Sequence, residues 1–300
     1  MILYDAPMIE QARKIIADRG RSVLKARRGV LEDANAEAIH DLRVATRRLQ
    51  AALDIFGPYL PDRERRRLDR RARTIRRKLG AQRNACMVLE VLSQISPRLP
   101  GYEKRFAAGL KHRLGKTSAA GRRAARRKGL PGLRKRLAAL LRALRREGAA
   151  TRSGPAPAID PARAVAVLRA CREARDGDAE ALHRLRIAIK RHRYAMEILA
   201  EAGVGGLRPA IREARVLQTH LGDLHDLDLL IDLVHQEAHR PGGESLLRRL
   251  LRRRQAERVM SRLSRYRPAI GSGAVGKTAA RQAGPRSGGP RPEAGPRAAA

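Results

Sequence analysis

The sequence contains no tryptophan, two phenylalanines and five tyrosines, so aromatic residues make up only 2% of its 300 positions. Its core must therefore be built from Leu, Ala, Ile and Val, a set that favours helices. Cysteine is almost as scarce. Cys86 and Cys171, each inside a segment of helical period, suit a reducing compartment and two packed thiols rather than a metal or redox role. No window approaches about 18 uncharged apolar residues, and the start, "MILYDAPMIEQARKII", soon turns polar, so neither a membrane span nor a signal peptide is expected. The expected location is cytoplasmic. Acidic residues are few as well: 30 Asp and Glu stand against 66 Lys and Arg, giving a formal net charge of +36 and a pI near 11.7. A GC-rich genome would explain why Arg outnumbers Lys 56 to 10, but it would not remove carboxylates. Such an excess calls for an anionic partner: nucleic acid, a membrane surface or a phosphate polymer.

What the chain does have is helical period. From Pro7 to about Tyr266, apolar residues recur at three- and four-residue spacing with no sustained alternation, which predicts an all-α protein. Pro and Gly clusters punctuate it at "FGPYLP" (56–61), "SPRLPG" (96–101), "RKGLPG" (127–132), "TRSGPAPAIDP" (151–161), "RDGD" (175–178), "AGVGGLRP" (202–209) and "HRPGG" (239–243). The richest break, with Asp160 as N-cap and Pro161 at the first helical position, divides the chain into residues 1–150 and 161–266, joined by a linker at 151–160. Residues 267–300 collapse to Gly, Ala, Pro, Ser and Arg, the composition of a disordered tail. That tail contains "GSGAVGKT" (271–278), which fits a phosphate-loop pattern letter for letter. A working loop needs a buried strand before it and a helix after it, and "RLSRYRPAI" and "AARQAGPRSGGP" supply neither.

The informative feature is an internal duplication. "HDLRVATRRLQAALDIF" from His40 and "HRLRIAIKRHRYAMEIL" from His183 align without gaps at an offset of 143, with 7 identities in 17 positions. "LGAQRNACMVL" from Leu79 then matches "LGDLHDLDLLI" from Leu221 at an offset of 142. On a helical wheel, Leu42, Ala45, Leu49, Leu53 and Phe56 form a core face in the first copy, and Leu185, Ala188, Met196 and Leu199 repeat it in the second. His192 falls on the apolar side and reads as a structural histidine. Opposite the core face lie His40, Arg43 and Arg47, flanked by Arg48, and in the second copy His183, Arg186 and Lys190, flanked by Arg191 and Arg193. The next helix adds Arg70, Arg73 and Arg77, which Arg212 and Arg215 match in part. A single basic stripe would mean only a solvated face. Recurrence of His-x-x-Arg-x-x-x-Arg/Lys in both halves points instead to a basic groove, because like charges at this spacing repel without local compensation and a polyanion would offset them.

These paired signatures, "AIHDLRVATRRLQAALDIF" and "LHRLRIAIKRHRYAMEIL" with their following "LG" helices, closely resemble those of the CHAD domain family, the conserved-histidine α-helical domains. The resemblance runs over roughly residues 8–265. It implies two four-helix bundles related by pseudo-two-fold symmetry around a basic central groove that binds inorganic polyphosphate, without catalysis or a cofactor, at polyphosphate granules. His40 and His183 match the family histidines, and Arg43, Arg47, Arg48, Arg186, Lys190, Arg191 and Arg193 its basic positions. One departure is Asn84, where the family usually has the Asp that the second copy keeps as Asp226. It puts a first-repeat ion pair in doubt.

Two other readings compete. Nonspecific nucleic-acid or general polyanion binding would satisfy the charge, but the aromatics are scattered and form no stacking platform, and no helix-turn-helix or zinc-finger pattern occurs. A metal-dependent phosphate-processing enzyme could use "HLGDLHDLDLLIDLVHQEAH" (220–239), where Asp228, Asp232, His235 and His239 share a face. Gln236 stands at the base position of the zinc motif, however, and such residues are usually solvated or paired with Arg, so no metal site is assigned.

Overall fold

The computed structural model describes residues 6–33, 35–127, 132–147, 158, 160–256, 266 and 268. Among the described residues every regular element is a helix, as the period predicts. The described residues form ten α-helices in succession: α1 (Ala6–Glu32), α2 (Ala36–Ile55), α3 (Asp62–Lys78), α4 (Gly80–Ile95), α5 (Gly101–Arg127), α6 (Leu133–Glu147), α7 (Pro161–Glu173), α8 (Ala179–Glu201), α9 (Arg208–Gln236) and α10 (Gly243–Ala256). Short 3-10 turns at Gly57–Tyr59 and Ser96–Arg98 occupy the first two proline-bearing breaks. The "GSGAVGKT" motif and nearly all of the 151–160 linker lie outside the described residues.

Side-chain caps fix three helix starts. Asn35 Oδ1 accepts from the Ala38 N–H at 2.8 Å, Asp160 Oδ1 from Ala162 at 2.9 Å, and Asp178 Oδ2 from Ala181 at 2.8 Å. Each satisfies an orphan donor and is worth about 1 kcal/mol. Asp160 and Pro161 thus begin α7 as the sequence predicts. The break between α1 and α2 was not expected, because its signal is Asn35 alone, without Pro or Gly.

A second unexpected break distinguishes the two halves. Leu79 interrupts the chain between α3 and α4, whereas the matching Leu221–Gly222 runs on inside α9. Together α3 and α4 therefore correspond to the single helix α9. Two features favour ending α3 here. Arg76, Arg77 and Lys78 place positive charge in its last turn, and Arg43 Nη1 of α2 donates to the Arg76 carbonyl at 2.8 Å, satisfying an acceptor that the helix end exposes. The matching positions in α9 hold Gln218, Thr219 and His220.

Two hydrophobic clusters hold the helices, and they do not follow the repeat boundary. The larger joins α1, α2, α3 and α6 to α7, α8 and the first part of α9. The smaller joins α4 and α5 to α10 and the last part of α9, from Leu227 to Val234. Both expected core faces are buried. Leu42, Leu49, Leu53 and Phe56 of the first copy and Leu185, Met196 and Leu199 of the second lie inside, with Ala45 and Ala188 packed at the margin. His192 is fully buried, as its apolar-side position predicts. The consequence for the site is that α2 and α8, the two signature helices, pack directly on each other, with α3 and α9 beside them.

Candidate functional site

Burying Leu42, Leu49 and Leu53 on one side of α2 forces its basic residues to the other. His40 is exposed, and Arg43, Arg47 and Arg48 are half-buried. On α8, His183 and Lys190 are half-buried and Arg191 is exposed, but Arg186 and Arg193 are only 8% and 7% exposed. Arg186, expected on the basic stripe, and Arg193, expected on its flank, are thus more deeply buried than their neighbours on that face. Arg70, Arg73 and Arg77 on α3 and Arg212 and Arg215 on α9 are exposed.

Charges of both halves meet around one carboxylate. Glu197 of α8 accepts from Arg193 Nη1 at 2.5 Å and from Arg215 Nη2 of α9 at 2.7 Å, while Arg48 Nε of α2 stands 4.0 Å from its other oxygen. Arg193 also stacks against the Tyr194 ring, 4.4 Å from its centroid. Three predicted site residues from three helices thus converge on a side chain that is 12% exposed. Nearby, Gln50 of α2 donates to Asp69 of α3 at 2.7 Å and accepts from Arg76 Nη1 at 2.9 Å, and Arg73 Nε pairs with Asp69 at 2.7 Å. Burial, followed by the positive charges of Arg191 and Arg73, pulls the Arg76 guanidinium below its ordinary range, against the opposing effect of Asp69. Arg191 of α8 is therefore close enough to α3 for the two stripes to repel.

At the other end of α8, His183 Nδ1 lies 3.2 Å from His225 Nδ1, so one of the two rings must supply the proton between them. Burial, then Arg186 and then Lys190 hold His183 below its ordinary value, while Glu180 pushes the other way. The duplicated glycines have matching roles. A Cβ on Gly80 would stand 4.0 Å from Arg43 Nη1, and a Cβ on Gly222 3.9 Å from Arg186 Nε. In each half the signature arginine passes the "LG" glycine at a distance that would also admit a methyl group. Asp226 is buried, whereas Asn84 at the matching position is exposed. A solvated amide there calls for no counter-charge.

Four predicted residues, Arg70, Arg77, Arg191 and Arg212, pair with no carboxylate among the described residues and are exposed cations. Gln50, Asp69, Arg76, Glu197, Gln218 and His225 were not singled out in the sequence. The alignment does carry a signal for four of them, since Asp54 and Glu197 share a position, and Gln50–Arg193 and Arg76–Gln218 are aligned pairs of exchanged type. Asp228, a candidate metal ligand, is bound by Arg254 Nε at 2.6 Å, the arginine pairing that its helix context suggested.

A family model described as CHAD domain matches residues 14–235. The chain belongs to the CHAD domain family. This family is associated in general with polyphosphate binding and is generally non-catalytic. Among solved structures, the CHAD domain from the plant Ricinus communis is similar at 21% identity with a TM-score of 0.65, covering 89% of this chain and 95% of that one. PptA from Streptomyces chartreusis is similar at 17% identity with a TM-score of 0.54, covering 85% and 96%. At these identities both likenesses concern the fold. No curated protein sequence matches the chain significantly. No described helix of this CHAD protein is long and apolar enough to cross a membrane.

Proposed function

We propose that this CHAD protein binds inorganic polyphosphate, without turning it over, on the basic surface where α2, α3, α8 and α9 meet. The observation that carries the reading is the meeting of the two duplicated stripes: Arg48, Arg193 and Arg215, from three helices and both halves, gather at Glu197. Guanidiniums outnumber carboxylates there, and this concentration of like charge is costly until an anion arrives. Arg offers planar forks of donors to phosphate oxygens, Lys190 a compact charge, and His40 and His183 donors that gain charge as pH falls. The two halves, residues 1–150 and 161–266, are pseudo-symmetric in their signature helices and share this groove, although among the described residues the first holds six helices where the second holds four. Association with polyphosphate granules in the cytoplasm would follow from such binding, and the basic residues of α5, α6 and the tail would add general attraction.

Nucleic acid fits less well. Phe56, Tyr59, Phe106, Tyr194 and Tyr266 are buried, leaving Tyr102 as the exposed aromatic among the described residues, too little for base stacking. The test is a titration with labelled long-chain polyphosphate that also records free orthophosphate. Saturable binding without phosphate release is expected. His40→Ala combined with His183→Ala should weaken binding more than two Arg→Ala substitutions in the tail, and equal effects would refute the groove.

A further inference from the structure

Glu197 is the carboxylate on which arginines of α2, α8 and α9 converge at the surface proposed to bind a polyanion, whereas Asp69, among the described residues, is engaged only from α2 and its own helix. Its carboxylate is 12% exposed and engaged from three sides, by Arg193 of its own helix, Arg215 of α9 and Arg48 of α2. The matching residue of the first half, Asp54, does something different: it is 55% exposed and pairs with Arg163 of α7. The central carboxylate is thus a feature of one half only, and the duplication alone does not account for it.

We propose that Glu197 determines ligand specificity: it stands in for a ligand phosphate among the three guanidiniums, so that only an anion of high charge density displaces it. The inference rests on the polyphosphate reading above. A carboxylate satisfies the arginines and keeps them in place while the site is empty. The same carboxylate repels every incoming anion, and like-charge opposition is how an interface rejects weaker partners. Polyphosphate places a charge on every link with nothing between links, so several of its groups can engage Arg191, Arg212, Arg70 and Arg77 while one takes over the guanidiniums of Glu197. Those four arginines are exposed and have no carboxylate partner among the described residues. Single-stranded nucleic acid separates its phosphates by a sugar and brings fewer charges to the same surface. It gains less from the outer arginines and leaves the central carboxylate in place, so it bears the full repulsion that polyphosphate escapes in part by displacing Glu197 from its arginines.

Glu197→Gln tests this, because it keeps the shape and one acceptor while removing the charge. Affinities for long-chain polyphosphate and for single-stranded oligodeoxyadenylate would be measured at one salt concentration for wild type, Glu197→Gln and Glu197→Asp, with thermal melts to verify folding. The expected result is that Gln strengthens oligodeoxyadenylate binding about tenfold and polyphosphate binding about threefold, reducing selectivity, while Asp, which keeps the charge, preserves it. Unchanged selectivity in Glu197→Gln, or weaker polyphosphate binding in it, would overturn the proposal and leave Glu197 as a structural partner of Arg193. If Glu197→Gln does not fold, Arg215→Ala takes its place: it removes a guanidinium that polyphosphate takes over and nucleic acid does not, so selectivity for polyphosphate should fall, and unchanged or higher selectivity would overturn the proposal. Wild type reports separately on the underlying reading, since failure to prefer polyphosphate at all would refute the binding function rather than the role of Glu197.

Discussion

Arg193 Nε donates to Gln218 Oε1 at 2.9 Å, and at the matching place in the first half Arg76 Nη1 donates to Gln50 Oε1, also at 2.9 Å, with the two residue types exchanged between helices. The same bridge therefore joins α8 to α9 and α2 to α3, with its cation on opposite sides. Duplication fixed the position of the bond, and divergence reversed its direction. Arg193→Gln should cost about 1–2 kcal/mol by removing a charge-assisted hydrogen bond. Adding Gln218→Arg should recover part of that loss by rebuilding the first-half arrangement. Denaturant melts of the two single variants and the double variant measure the coupling, and strictly additive losses would contradict the equivalence.

Gly222 makes a sharper test of how the signature arginines are laid down. A Cβ there would meet Arg186 Nε at ordinary van der Waals distance, so Gly222→Ala should fit. It should stabilise α9 by about 0.5–1 kcal/mol through helix propensity and leave binding intact. Gly222→Leu should push Arg186 aside and weaken polyphosphate binding. Melting curves paired with binding isotherms distinguish the two outcomes.

The histidine pair gives the protein a direction in pH. The folded value of His183 lies below the unfolded value of about 6.5, so below that pH the unfolded chain binds more protons, and the contribution of His183 to stability is lost as pH falls from about 6.5 toward the folded value. A bound polyphosphate opposes the positive field of Arg186 and Lys190 and raises the His183 value. Binding then takes up a proton, and affinity should increase several-fold, roughly 3- to 10-fold, over that window. His183→Ala should flatten the increase, as isotherms at a series of pH values would record.

Salt separates the exposed arginines from the committed ones. If Arg191 and Arg212 contact phosphates, each alanine replacement should reduce the slope of log affinity against log salt by about 0.7, the value for a single-stranded polyanion. Arg163→Ala, whose side chain pairs with Asp54, should leave the slope unchanged.

Much of this was legible in the sequence because helical period and proline breaks are local signals. The Asp160–Pro161 start of α7, the core faces of α2 and α8 and the burial of His192 all follow from spacing alone. The break at Leu79 was not legible, since it depends on Arg43 reaching a carbonyl of another helix, and nothing in "RRKLGAQ" encodes that contact. The site was legible as a set of residue types but not as a geometry. Arg43, Arg48, Arg193 and Arg215 share the basic pattern with Arg70 and Arg212, yet they are bound to protein acceptors, and only the packing of α2 and α8 on each other and on the helices that follow them sorts one group from the other. Glu197 was hidden for the same reason: within α8 it is one more acidic residue four positions after an arginine.

The central claim is best tested by a competition titration at near-physiological salt, with the protein held on labelled long-chain polyphosphate and DNA or RNA added at matched charge. The account predicts that nucleic acid displaces polyphosphate only at large excess, because the arginines at the α2–α8 contact engage closely spaced phosphates. Displacement charge for charge would contradict it and make the chain a general polyanion binder.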